Sequence, residues 1–254
     1  KKMNMMVTDP KGELASGMYE TLRKRNFDVY VLNLLDPMQS MAYNPLQTII
    51  EDTRMGDIGK SVDEAVELGS YIYHASPDDK NKFFYDSAAN LFVACLYAVL
   101  GIAHGDYYYR QHPELSFEGK EDKDAYMKVT IPNLMSMVPD LQGKQVSDLD
   151  GNDTTRLDIF FDHVSDMITS LRNTRENKIS QGTELDDVEE DQLDILNQSR
   201  NYYSQFKTAG AETGGNILSQ FMEGLSIYQS KNVKMLTSRN SMNFNELGFD
   251  RLLT

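Results

Sequence analysis

The sequence predicts a mainly α-helical protein, a bundle of about seven or eight helices set next to one βαβ unit at the start of the chain. Three observations predict it. Residues 3–46 run apolar stretch, turn, helical pattern, apolar stretch, which is one strand–helix–strand crossover. Nothing after residue 50 continues that alternation. From Leu46 onward the apolar residues recur at helical spacing instead.

The first strand is expected at Met3 to Val7, closed by Asp9-Pro10-Lys11-Gly12-Glu13. Charged residues at that end of a strand stand where open α/β sheets bind ligands. A helix follows from about Gly12 to Arg25, with Leu14, Met18 and Leu22 on one side. Asn26 suits the left-handed residue that ends a helix. The second strand spans Val29 to Leu35, and Asp36-Pro37 and Asn44-Pro45 then break the chain.

The helical body begins with a short helix over Thr48 to Met55. Ser61 is placed to cap the next, with Glu64 at the capping-box position and an apolar face reaching Ile72. A long helix is expected from Pro77-Asp78 to about His104. Its stretch Phe83–Ala103 has the length of a membrane span, but it contains Asp86, Ser87 and Asn90, so it reads as a buried helix. Gly105 to Lys120 reads as a loop or a broken helix, and Ile131 to Val138 as a short helix opened by Pro132. After a polar stretch, Asp153 or Thr154 caps a helix whose residues Leu157, Phe160, Phe161, Val164, Met167, Ile168 and Leu171 form its apolar face. Residues 184–194 hold seven carboxylates in eleven positions, the acidic start of a helix continuing through Leu193, Leu196, Tyr203 and Phe206. Gly210 interrupts. Gly214-Gly215 then lead into a last amphipathic helix, and residues 234–254 form an irregular tail returning toward a sheet through Asn243-Phe244 and Gly248-Phe249.

The 254 residues allow one large domain or two, and 40% apolar residues supply a core. Trp is absent, and the 14 Met read as core filler. The net charge of −14 excludes a broad DNA-coating surface and favours partners with basic faces. Lys231, Lys234 and Arg239 remain as a local basic patch for DNA contacts. The single cysteine, Cys95, allows no internal disulfide and lies in an apolar run, as a buried inert thiol does. Lys1-Lys2, a short apolar run and then Asp9 do not make a signal peptide.

No motif in the chain assembles a catalytic or metal site. Gly59-Lys60-Ser61 contains the tripeptide of a phosphate loop, but Arg54 stands where that loop needs its first glycine. Asp148, Asp150, Asn152 and Asp153 resemble a calcium loop that has Asp153 in place of its glycine and Ile159 in place of its closing glutamate. His74, His104, His112 and His163 have no metal-ligand spacing, and no nucleophile elbow is present. Gly214-Gly215 reads as helix capping rather than an anion site, because Glu212 stands beside it.

The opening motif is specific. Val7-Thr8-Asp9-Pro10-Lys11-Gly12-Glu13-Leu14, then Val29-Tyr30-Val31-Leu32-Asn33-Leu34, then Asp36-Pro37, Ser40 and Tyr43-Asn44-Pro45-Leu46 resemble the TraG/TraD-type coupling proteins, the VirD-type ATPases of conjugative type IV secretion systems. The match is close over about 45 residues, with looser echoes at Phe83–Leu100, Thr213–Leu225 and Gly248-Phe249-Asp250. The resemblance implies a membrane-anchored bacterial homohexamer that uses ATP and Mg²⁺ to pass relaxase-bound DNA to the secretion channel. It implies an all-α domain on the cytoplasmic side, inserted into a RecA-like nucleotide-binding domain.

On this reading, residues 1–46 are a βαβ fragment of the nucleotide-binding domain, 47–235 the all-α domain and 236–254 the return segment. Asp9, Lys11 and Glu13 match the family's DPKGE motif. Glu184, Asp186, Asp187, Glu189, Glu190 and Asp191 are the candidate partner-binding patch. The expected function is substrate reception, recognising relaxase and relaxosome accessory proteins, with no activity and no cofactor of the chain's own and with a monomeric state. The alternatives are a helical module that binds DNA directly, and an enzyme whose site carries no known motif.

Overall fold

The structure is a computed structural model and describes residues 5–74, 81–111, 125–142, 145–147, 153–209 and 211–241. Among them are nine α-helices: α1 (Glu13–Lys24), α2 (Gln47–Arg54), α3 (Ile58–Ile72), α4 (Lys82–Gln111), α5 (Ile131–Gln142), α6 (Arg156–Ser180), α7 (Asp187–Lys207), α8 (Ala211–Gly224) and α9 (Lys231–Thr237). A small antiparallel ribbon, β1 (Gln145–Ser147) with β2 (Asp153–Thr155), precedes α6, with Val146 opposite Thr154.

The core is arranged around α4. Its residues Leu91 to Ala98 are all buried, together with Ala88, Leu100 and Ala103. This is why a stretch with the length and apolarity of a membrane span is covered by neighbouring helices. Each fully buried Leu or Phe contributes about 1.5–3 kcal/mol of transfer free energy. α7 packs along α4, with α8 and α3 on other sides of it, and α6 packs on α7. Polar side chains fix the α4–α7 register: Ser199 Oγ donates to the Ala94 carbonyl (2.9 Å), Gln192 Nε2 to the Gly101 carbonyl (3.0 Å) and Asn90 Nδ2 to Gln205 Oε1 (2.8 Å). Between α6 and α7, Phe161 stacks on Tyr203 with centroids 3.6 Å apart. Cys95 is buried, and burial pushes its thiol up to about 12, which makes it inert at neutral pH.

Four local expectations change. α4 does not stop at Gly105 but continues to Gln111. Gly105, which suggested the break, is a contact position where a Cβ would collide with Gln192, and Gly101 in the same helix is another, where one would collide with Leu196. The cap of α3 is Asp57, whose Oδ1 accepts from the Lys60 N–H, while Ser61 is buried inside the helix. The cap of α6 is Thr155, one residue beyond Thr154, in a reciprocal capping box with Asp158. Gly214 and Gly215 lie within α8 rather than ahead of it.

The βαβ unit forms only its helix. α1 ends as expected: Asn26 takes φ 59°, the Phe27 N–H bonds to the Leu22 carbonyl and the Asn26 N–H to the Arg23 carbonyl, a Schellman stop. Yet residues 5–11 and 27–35 carry no strand, and no residue of α1 is buried. A strand exists through the ladder it shares with a neighbour. Among the described residues, no backbone hydrogen bond reaches Met5, Met6 or Val7. These three, with Leu14, Met18, Leu32, Leu34 and Leu35, leave an apolar surface exposed. The return links at Asn243-Phe244 and Gly248-Phe249, His112 and the calcium-like stretch Asp148–Asn152 lie outside the described residues.

Candidate functional site

The Asp9–Glu13 segment builds a helix start. Gly12, at φ 72°, turns the chain in a left-handed conformation that a side chain would strain. Asp9 Oδ2 accepts from the Ala15 N–H (2.8 Å), so its carboxylate satisfies a donor in the first turn of α1. Glu13 occupies that same turn, where a negative charge suits the helix dipole. Lys11 and Glu13 are exposed, which leaves their charges facing outward beside the exposed apolar surface.

The acidic stretch divides into two parts. Asp186 caps α7 and forms a capping box with Glu189. Glu189 also pairs with Lys178 Nζ (2.5 Å), and Glu190 with Arg175 Nε (3.2 Å), so both tie α7 to the end of α6. The structure thus spends half of the patch on its own packing. Glu184 and Asp187 remain exposed, and Asp191 lies against the turn at Gly56. Burial, and then the charges of Asp187 and Asp194, push the Asp191 carboxyl above its ordinary pKa.

The phosphate-loop tripeptide is engaged in packing. Lys60 Nζ binds the buried Asp52 at 2.9 Å. Ser61 Oγ lies 2.7 Å from the Tyr97 hydroxyl and 2.8 Å from Thr53 Oγ1, and donates to the Ile49 carbonyl. These are core contacts between α2, α3 and α4. Lys231 and Lys234 are exposed on α9, with Arg239 just beyond it. α9 lies by the first segment, where Asn232 Nδ2 reaches the carbonyls of Leu34 (3.5 Å) and Leu35 (3.4 Å). The three groups singled out from the sequence therefore sit on separate elements: the start of α1, the α6–α7 corner, and α9.

Sequence reasoning missed two sites. His104 is buried, its Nδ1 2.6 Å from the Tyr126 hydroxyl, and burial lowers its pKa. The other is a junction. The chain enters the helical body through residues 41–44 and leaves it through 236–241, and these run side by side. The Tyr43 N–H donates to the Leu236 carbonyl (2.7 Å) and the Ser241 N–H to the Ala42 carbonyl (2.8 Å). The Asn44 N–H donates to Asn240 Oδ1 (2.7 Å), and the Ala42 N–H to Ser241 Oγ (3.1 Å). Their separation of nearly 200 positions gave no local signal, although Asn44-Pro45 marked one side as a turn.

The described helices thus form a body with its own core, and the chain segments 41–44 and 236–241 meet at one place beside it. The chain belongs to the type IV secretory system conjugative DNA transfer family, the TraD/TraG-type coupling proteins, whose family model matches residues 1–253. The family acts in DNA transfer through a membrane-associated secretion system. No curated protein matches the chain.

Proposed function

We propose that this chain supplies the substrate-receptor domain of a conjugative coupling ATPase. The helical body, carried on a RecA-like nucleotide-binding domain, receives the relaxase and relaxosome accessory proteins bound to the DNA to be transferred. The observation that carries this reading is the paired junction of residues 41–44 with 236–241, which suits an inserted all-α domain. The exposed apolar surface on Met5–Val7 and Leu32–Leu35 fits the same picture: these segments become strands when the nucleotide-binding sheet is completed beside them.

In this reading the chain hydrolyses no nucleotide by itself. ATP and Mg²⁺ are handled by the nucleotide-binding part of the motor, which assembles as a hexamer on the cytoplasmic side of the membrane. Alone, the 254 residues are monomeric. The test is capture of cognate relaxosome proteins by the purified chain. Binding at micromolar protein supports the reading, and no capture by a folded chain sinks it.

Direct DNA binding is the second reading, favoured by exposed Lys231, Lys234 and Arg239 on and beside α9. Gel shifts over a salt series separate the two. Phosphate contacts lose affinity steeply with salt, by a slope of roughly one per neutralised phosphate. Exchanging all three residues for glutamine abolishes the shift if α9 is the contact.

A further inference from the structure

We draw no further inference here: the strongest candidate, the side-chain cluster on the α6–α7 seam where Arg172 and Arg200 both donate to Asn197 Oδ1 at 3.0 and 3.3 Å, carries nothing, because Arg172 is exposed and nothing in the structure shows which anion covers the pair.

Discussion

Asn44 joins three parts of the chain with one residue. Its Nδ2 donates to the Val129 carbonyl (2.8 Å), its Oδ1 accepts from the Leu46 N–H (3.1 Å), and its own N–H meets Asn240 (2.7 Å). The side chain is buried, so Asn44→Ala leaves the Val129 carbonyl without its donor. A loss of about 1–3 kcal/mol is expected in urea unfolding, with an unchanged slope. His104 gives a pH signature. Burial lowers its folded pKa below the ordinary 6.5, so the unfolded chain binds the proton first. Stability is therefore whole above pH 6.5 and falls as the pH drops below it, until the folded pKa is passed. The slope is at most about 1.4 kcal/mol per pH unit. Unfolding midpoints measured from pH 7.5 to 5 show this decline in the parent, and His104→Gln flattens it. Asp158 adds a lower window. Burial raises its carboxyl, but hydrogen bonds from Thr155 and Tyr203 outweigh burial and the net pKa is lowered, so its contribution is lost as the pH falls through that folded value.

At the scale of the element, caps and close approaches decide where helices stop. Thr155→Ala removes the side-chain half of the α6 capping box, while the backbone N–H of residue 155 still donates to Asp158, and is expected to cost about 1 kcal/mol in thermal or urea unfolding. Gly101→Ala places a methyl against Leu196 and forces α4 and α7 apart, at about 1–3 kcal/mol. What was legible in the sequence were the elements whose signal is periodic. α2, the centre of α4, and the buried stripe Leu157, Phe161, Val164 and Ile168 of α6 all follow their apolar spacing. Gly105 was misleading because a glycine at a packed helix crossing looks like a breaker until its neighbour, Gln192, is known. Asp57 and Ser61 are both good caps, and only the burial of Ser61 among Thr53 and Tyr97 separates them. The acidic stretch was legible as a helix start, but its pairing with Arg175 and Lys178 joins two helices and shows in neither alone. The strands at Met5–Val7 and Val29–Leu35 have strand composition, but their ladder is absent among the described residues.

At the scale of the whole molecule, residues 5–35 are lightly attached. No residue of α1 is buried, and the ties of this segment to the body are few, among them the Met41 N–H to the Val31 carbonyl (2.9 Å) and Asn232 to Leu34 and Leu35. Removing residues 1–35 takes away only these few hydrogen bonds and is therefore expected to shift the stability of the helical body by no more than about 2 kcal/mol. Hydrogen exchange should likewise find α1 opening far more often than α4. The same removal takes away Met6 and Leu35, 89% and 88% exposed, and with them part of the apolar surface exposed among the described residues. Sedimentation at rising concentration measures the resulting gain in solubility.

The meeting of residues 41–44 with 236–241 also bears on inheritance. A body that is left at the point where it was reached behaves as a cassette. Helices can be lengthened, exchanged or lost between the two ends while the flanking chain keeps its path. On the proposed receptor reading, cargo preference and motor action then diversify at separate speeds, one by wholesale replacement of the helices and the other by slow substitution in the flanking chain.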